Sequence, residues 1–404
     1  MSNETQRIAI SNATIVLPEA LIEGGSLGIA GGRIVEVEAS GNLQGEYDVC
    51  IDAEGAYVMP GVIDLHNDSL ETEINPRPET SLPVDFALAN LERRLLFSGV
   101  TMEFHAISFM NNTKNGRTVA NAADRAHLVH EYARSGHELI SNNVLHRLDV
   151  WTPDGLDYIF ESLARAETRY VSINDHTPGQ GQYRDIEAFK ERMEAWKNQR
   201  GRHFGGEDAE KRMMERAADT ETVPMVYARI REERQRMPFV IASHDDDTPE
   251  KVDTLFAMGA SVCEFPVTVE AAERGRSKGM TIVVGAPNIV RGGSSSGNMD
   301  AAELVRLGLA DAICADYHAP SMLPAAFRLY DDDLVDLPAA VRMLSLNPAR
   351  ALGIDDLGAV LPGYVADLLF VRRTANGMPA VERVIRGGRE VMNLRPSRRV
   401  EVPA

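Results

Sequence analysis

Eight short apolar runs separated by amphipathic stretches constrain this chain most. They lie at residues 61–65, 100–104, 143–150, 170–174, 239–243, 261–265, 281–285 and 312–315. Each is too short for a helix, and its lack of alternation fits a strand buried on both faces. Stretches 83–97, 118–134, 249–258 and 299–307 fall between them with helical periodicity. Strands alternating with helices predict a parallel α/β architecture, and a count of eight predicts a TIM (β/α)8-type barrel.

The two ends of the chain have another texture. Residues 7–58 alternate apolar and polar positions around Gly31 and Gly32, and residues 358–371 and 380–391 repeat the pattern. Chain ends often lie close together, so the halves predict one small β-sandwich satellite domain, 1–58 plus 355–404, beside a barrel at 59–354. A charged stretch at about 185–236 interrupts the barrel pattern. It reads as a solvated helical hairpin, with a lid or dimer contact as the alternative.

With 404 residues and a formal net charge of -18, the chain lacks the broad basic face of a nucleic-acid or membrane-surface binder. Cys50, Cys263 and Cys314 show no CxxC pairing and read as buried thiols of a reducing compartment. The first residues lack a signal-peptide pattern, and no apolar run is long enough to span a bilayer. The expectation is a cytoplasmic enzyme of a small-molecule substrate, assembled as a homo-oligomer.

Barrel enzymes carry their chemistry at the carboxyl ends of the strands. At those ends stand His66 and Asp68, two residues apart on one side of the pleat, then Asp149, His176, His244 and Asp316. Singly each has a plain structural account: Asp68 as a helix cap, Asp149 in a turn, His176 on a carbonyl, Asp245 to Asp247 as an exposed acidic run. Together they suit divalent metal, Zn first and Mn or Fe next, and their number suits two ions. His105 and His318 are expected to line the pocket, whereas His127, His130, His137 and His203 read as surface residues and His146 as structural. In the segment 285–298, Gly292 and Gly293 with Ser294, Ser295 and Asn298 beside Arg291 suggest a phosphate cradle, the alternative being a flexible connection. Arg77, Gln180 and Gln182 are further candidates for holding an anionic or sugar portion.

PGVIDLH, and NPARALGI followed by LGAVLPGYVADLLF, are similar to flanking signatures of the metal-dependent amidohydrolase superfamily. HNDSLE, INDHTPGQGQY, ASHDDDTPE, EFPVTVEAA, VGAPNIVRGG and ADYH resemble its phosphonate-catabolism branch, the ribose triphosphate diphosphatases. The resemblance implies hydrolysis of a ribose 5-triphosphate to the 5-phosphate and pyrophosphate at a metal centre. His66, Asp68, His176, His244 and Asp316 would be ligands, Asp149 would stand where the branch has a bridging Glu, and Asp316 would carry the proton from water to the leaving group. Asn67, Ser69, His105, Asn174, Ser295 and His318 depart from the branch. The rival activity is cleavage of a C–N bond in a cyclic or linear amide, and a metal-loaded binding protein is a third reading. His176 and His244 fall on the fourth and fifth strands rather than the superfamily's usual fifth and sixth, which leaves open an unread strand or an irregular barrel.

Overall fold

The computed structural model describes residues 6–39, 42–77, 80–111, 117–175, 177, 181, 214–216, 218–293 and 299–394. The chain opens with β1 (Ile8–Val16), β2 (Leu21–Ala30), β3 (Arg33–Glu38), β4 (Val49–Asp52) and β5 (Tyr57–Pro60). Gly31 and Gly32 both take positive φ, 57° and 76°, and so make the tight turn that pairs β2 with β3.

Eight barrel strands follow: β6 (Val62–Asn67), β7 (Val100–Phe109), β8 (Ser141–Asp149), β9 (Tyr170–Asn174), β10 (Val240–His244), β11 (Val262–Glu264), β12 (Thr281–Gly285) and β13 (Ala312–Cys314). They pair in chain order, all parallel, as the eight apolar runs predict. β9 pairs directly with β10, so His244 belongs to the fifth barrel strand. The chain ends with β14 (Leu368–Arg373), β15 (Pro379–Arg386) and β16 (Arg389–Asn393). β14 lies antiparallel to β5, with Leu368 opposite Pro60, and this pairing joins both chain ends into one sheet. Ile10, Ile15, Leu27, Val58, Phe370 and Ile385 fill its apolar core.

Alternation sorts the barrel side chains. Leu65, Phe104, Leu145, Tyr170, Val262 and Ala312 belong to the apolar plug inside the barrel. Phe104 meets Tyr170 edge to face at 5.7 Å. The intervening residues, among them Ile107, Val144, Val171, Ile241 and Ile282, join the larger core beneath the helices. Threonines start several covering helices: Thr118, Thr248 and Thr268 each accept a backbone N–H from the first turn, at 3.1 to 3.2 Å. Each such cap is worth about 1 kcal/mol.

The barrel closes between its last and first strands. Asp316 N donates to His66 O at 2.9 Å, and Asp68 N donates to Asp316 O at 2.7 Å. Ala315 N donates to the Asp64 carboxylate at 2.8 Å.

Helix Thr222–Arg236, grouped by sequence with the insertion, buries Val226 and Ile230 in the main core and serves as the crossover between β9 and β10. Residues 182–213 lie outside the described residues. Cys263 and Cys314 are buried as expected, but Cys50 is exposed. β4 pairs only with β1, off the main path of its sheet, and Cys50 alternates with the buried Ile51. No described helix is long and apolar enough to cross a membrane.

Gly61 enters the barrel where no side chain fits. A Cβ there would lie 2.1 Å from Thr101 Oγ1 and 2.8 Å from Thr101 Cβ, so rotating the threonine gives no relief. Gly61→Ala is expected to lower the unfolding free energy by about 1–3 kcal/mol, measured by urea denaturation. An unchanged midpoint refutes this.

Candidate active site

His66, Asp68, His244 and Asp316 surround one cavity of about 260 Å³, together with Arg147 and Asp245. The strands place them. His66 is buried near the end of β6, Asp68 follows that strand, and His244 is the last residue of β10. Asp316 lies two residues past β13 in the left-handed region, φ 58°. Asp245 and Phe265, which follow β10 and β11, share that conformation with φ 53° each. Three non-glycine residues held this way at strand ends mark backbone that is costly to maintain. The His66 and His244 rings are 5.5 Å apart, and Phe265 sets its edge against both at 5.1 and 5.3 Å. His66 Nε2 stands 3.7 Å from Asp68 Oδ1.

Glu264, at the end of β11, was not among the residues expected from the sequence. It is fully buried, lies 3.3 Å from His66 Nδ1, and accepts from Tyr170 Oη at 2.7 Å and Ser172 Oγ at 2.8 Å. Ligating atoms of His66, His244 and Glu264 lie within 4.8 Å of one another, a group able to hold a metal ion. The strand-end rule applied to the sixth strand finds Glu264. The same parity that turns Asp149 into the barrel finds Arg147, two residues earlier on β8. Arg147 donates to Asp68 Oδ1 at 2.7 Å and to Asn174 Oδ1 at 3.2 Å.

Other expected residues are placed elsewhere. Asp149 is buried, but its Oδ1 accepts from Trp151 N at 2.9 Å and stands 3.9 Å from Arg216, and it does not line the cavity. His105 does not line the pocket. Phe104 and Ala106 face the plug, so alternation turns His105 toward the helices, where it meets Asn142 at 2.9 Å. Burial lowers its pKa to about 4, leaving it neutral at pH 7. His318 is exposed and outside the cavity, with its Nδ1 at Ser321 Oγ, 2.7 Å away, and Arg77 is an exposed residue near Thr80.

Arg291 is exposed at the end of helix Ala286–Arg291. The backbone N–H groups of Gly292 and Gly293 bond Asn288 O at 3.1 and 3.0 Å. Those two glycines terminate a helix, Gly292 with φ 78°, and their donors are occupied rather than offered to phosphate. His176, Gln180, Gln182, Ser294, Ser295 and Asn298 lie outside the described residues. The acidic run is not an exposed one, since Asp245 and Asp246 are buried. Left-handed backbone carries Asp245 inward, its carboxylate 3.1 Å from His244 Nδ1, while Asp246 bonds Ser243 and Cys263. His130 is also buried, against Ser162, on the face of its helix that packs on the barrel.

Carboxylates crowd this site: among the described residues, Asp68, Asp245, Asp316 and Glu264 stand against one lining guanidinium, Arg147. Burial opposes a charge on His66, but Glu264 and Asp68 outweigh it and lift its pKa to about 10. Burial pushes Asp316 up to about 7, with the His66 and Arg147 charges drawing it down and Asp68 adding to the rise. Burial would raise Asp68 too, but Arg147 and His66 hold it well below the usual carboxylate range. A position where an imidazole is kept protonated between carboxylates favours positive charge. The mixed imidazole and carboxylate donors therefore fit a divalent cation of the Zn, Mn or Fe type.

A second acidic pair lies beside the first strand. Asp64 and Glu103 are both fully buried and hydrogen-bonded to each other, so a proton between them is held in place, with Asn67 also beside Glu103. Burial raises Asp64 to about 6, and burial together with the Asp64 charge raises Glu103 well above the carboxylate range. The folded chain thus binds these protons more tightly than the unfolded chain. The stability they contribute is complete below the ordinary carboxylate pKa of about 4 and declines as pH rises through 6 and beyond. In chelator-treated protein, Glu103→Gln is expected to gain thermal stability over the wild type between pH 5 and 8 (roughly the window above the ordinary carboxylate range). A gap in Tm that stays constant with pH rules this out.

A parallel eight-stranded barrel with imidazoles and carboxylates gathered at its carboxyl end defines a metal-dependent hydrolase of the barrel class. The chain belongs to the Amidohydrolase family, whose model matches residues 57–391. It is 32% identical over 385 residues to the alpha-D-ribose 1-methylphosphonate 5-triphosphate diphosphatase of Escherichia coli (strain K12), covering 95% of this chain and 99% of that protein. Its fold is similar to dihydropyrimidinase from Brevibacillus agri, with a TM-score of 0.63 and 15% identity over 96% of this chain and 95% of that one. It is equally similar to N-acetylglucosamine-6-phosphate deacetylase from Pasteurella multocida, with a TM-score of 0.62 and 14% identity over 96% and 100%. The protein is therefore a hydrolase of small-molecule substrates.

Proposed function

We propose that this enzyme cleaves the phosphoric anhydride of a ribose 5-triphosphate, α-D-ribose 1-methylphosphonate 5-triphosphate or a close analogue, to the 5-phosphate and pyrophosphate. The similarity that carries the proposal spans 95% of this chain and nearly all of the diphosphatase relative. His66, Asp68, His244 and Asp316 would hold one or two divalent ions, Zn first, with His176 and Asp149 as the remaining candidates. When bound, such ions lower the pKa of water to about 7 and neutralise charge on phosphoryl oxygens.

The protein's own groups supply the rest. Glu264 engages His66 Nδ1 at 3.3 Å and leaves Nε2 on the side of Asp68. A carboxylate behind a ligating imidazole fixes its tautomer and raises its basicity. Asp316, whose protonation lies near neutrality in the metal-free site, takes the proton of the attacking water and returns it to the departing phosphate oxygen. Phe265 packs in edge geometry against both imidazoles and limits their movement.

The test is to incubate zinc-loaded and manganese-loaded enzyme with ribose 5-triphosphates and with a panel of cyclic and linear amides, identifying products by mass. Pyrophosphate with ribose 5-phosphate products is expected. Amide hydrolysis without pyrophosphate release replaces the proposal with the C–N bond activity.

A further inference from the structure

Arg147 is the one guanidinium lining the cavity among the described residues, and metal ligation alone gives it no task. Its guanidinium donates to Asp68 Oδ1 at 2.7 Å and lies 3.5 Å from His244 Nε2. Both atoms belong to candidate metal ligands. A cation that takes them takes the guanidinium's nearest acceptors and repels its charge. Among the described residues, what remains is Asn174 Oδ1 at 3.2 Å, and the buried Nε has no partner there. A guanidinium whose side chain is only 12% exposed is costly to leave with unmet donors, and an anion entering the cavity supplies the acceptors.

We propose that Arg147 binds the non-bridging phosphoryl oxygens of the substrate and selects a phosphoryl centre over a neutral carbonyl at this metal site. The inference rests on the hydrolase reading above and names the residue behind its substrate class. A planar fork of N–H donors matches two oxygens of one phosphoryl group, whereas an amide offers a single uncharged oxygen. The group stands on a barrel strand in register with both neighbours, Arg147 opposite Ser108 and Ser172, so it is held in place rather than swung in from a loop. The other candidate cations do not compete, since Arg77 and Arg291 are exposed and neither lines the cavity. Asn174 acts as a positioning residue. Its Nδ2 donates to Ser172 O at 2.9 Å, which leaves Oδ1 turned to Arg147.

The experiment uses the full chain loaded with zinc and inorganic pyrophosphate as the probe. Wild type, Arg147→Lys, Arg147→Met and Asn174→Leu are compared by titration calorimetry, with metal content and circular dichroism measured on each. Arg147→Met is expected to weaken pyrophosphate binding roughly tenfold or more at unchanged metal content. Arg147→Lys, with charge but no fork, falls between, and Asn174→Leu raises the pyrophosphate Kd and the KM for ribose triphosphate more than it lowers kcat. Should Arg147→Met fail to fold, the lysine and leucine variants carry the same comparison. Unchanged pyrophosphate affinity in the folded, metal-loaded variants overturns the proposal, as does a wild type that does not bind pyrophosphate. A wild type that binds pyrophosphate through Arg147 but hydrolyses no ribose triphosphate sinks the diphosphatase reading and leaves the anion site standing. The reverse pattern, undiminished triphosphate turnover in Arg147→Met, removes Arg147 and keeps the activity.

Discussion

Asp316→Asn is expected to lower kcat by about 10²–10⁴-fold, the range for loss of a positioned acid–base group, in protein that remains folded. Asparagine tolerates the left-handed backbone that Asp316 adopts at φ 58°. The main-chain bonds of residue 316 to His66 and Asp68 do not involve its side chain. The substitution therefore spares the closure of the barrel while removing the group proposed to exchange the proton. Metal content must be measured alongside turnover, because Asp316 is also a candidate ligand. Near-normal kcat with metal retained would falsify the assignment. Loss of metal with loss of turnover assigns Asp316 to ligation instead.

Glu264→Leu should have the largest effect on the fold. Three donors converge on that carboxylate: the His66 ring, the Tyr170 hydroxyl and the Ser172 hydroxyl, all of them buried. Burial alone would raise Glu264, but His66 and then His244 draw it down, so it is an anion embedded among donors. Leucine leaves those donors without an acceptor at a cost of about 3–5 kcal/mol. It also frees the His66 ring to rotate, which should weaken metal affinity about 10–100-fold. Guanidinium unfolding reads the first quantity and a zinc titration the second. Glu264→Gln keeps one acceptor oxygen and should recover part of both. If the leucine variant is as stable as the wild type, the cluster beneath the site does not hold His66.

Much of this architecture is legible in the amino-acid order. The barrel strands are buried on both faces and therefore show as uninterrupted apolar runs, which located all eight. His66, Asp68, His244 and Asp316, expected together from the sequence, line one cavity because strand ends in a barrel converge whatever the intervening helices do. The misses have separate causes. His105 differs from a pocket residue by one position of pleat parity, which no composition pattern reveals. Gly292 and Gly293 serve a helix end and a phosphate cradle with the same conformational freedom, and only their hydrogen bonds to Asn288 distinguish the two. Asp245 and Asp246 look like a solvated run until a left-handed turn carries them inside. Glu264 and Arg147 were overlooked because a buried anion under a histidine and a cation among metal ligands are both unfavourable alone. Each becomes stable only through partners from other strands.

The seam that closes the barrel has a consequence for how the enzyme comes into being. Residues 64, 66 and 68 meet residues 315 and 316 directly, across about 250 intervening positions, with one bond spanning 251. Contacts so remote along the chain form late, after the cost of closing the long loop has been met. Asp316, the proposed proton carrier, is itself a stitch of that seam. A chain emerging from the ribosome therefore carries most of the barrel strands and candidate ligands before residue 316 can join them. The candidate site is complete only when the eighth strand docks against the first.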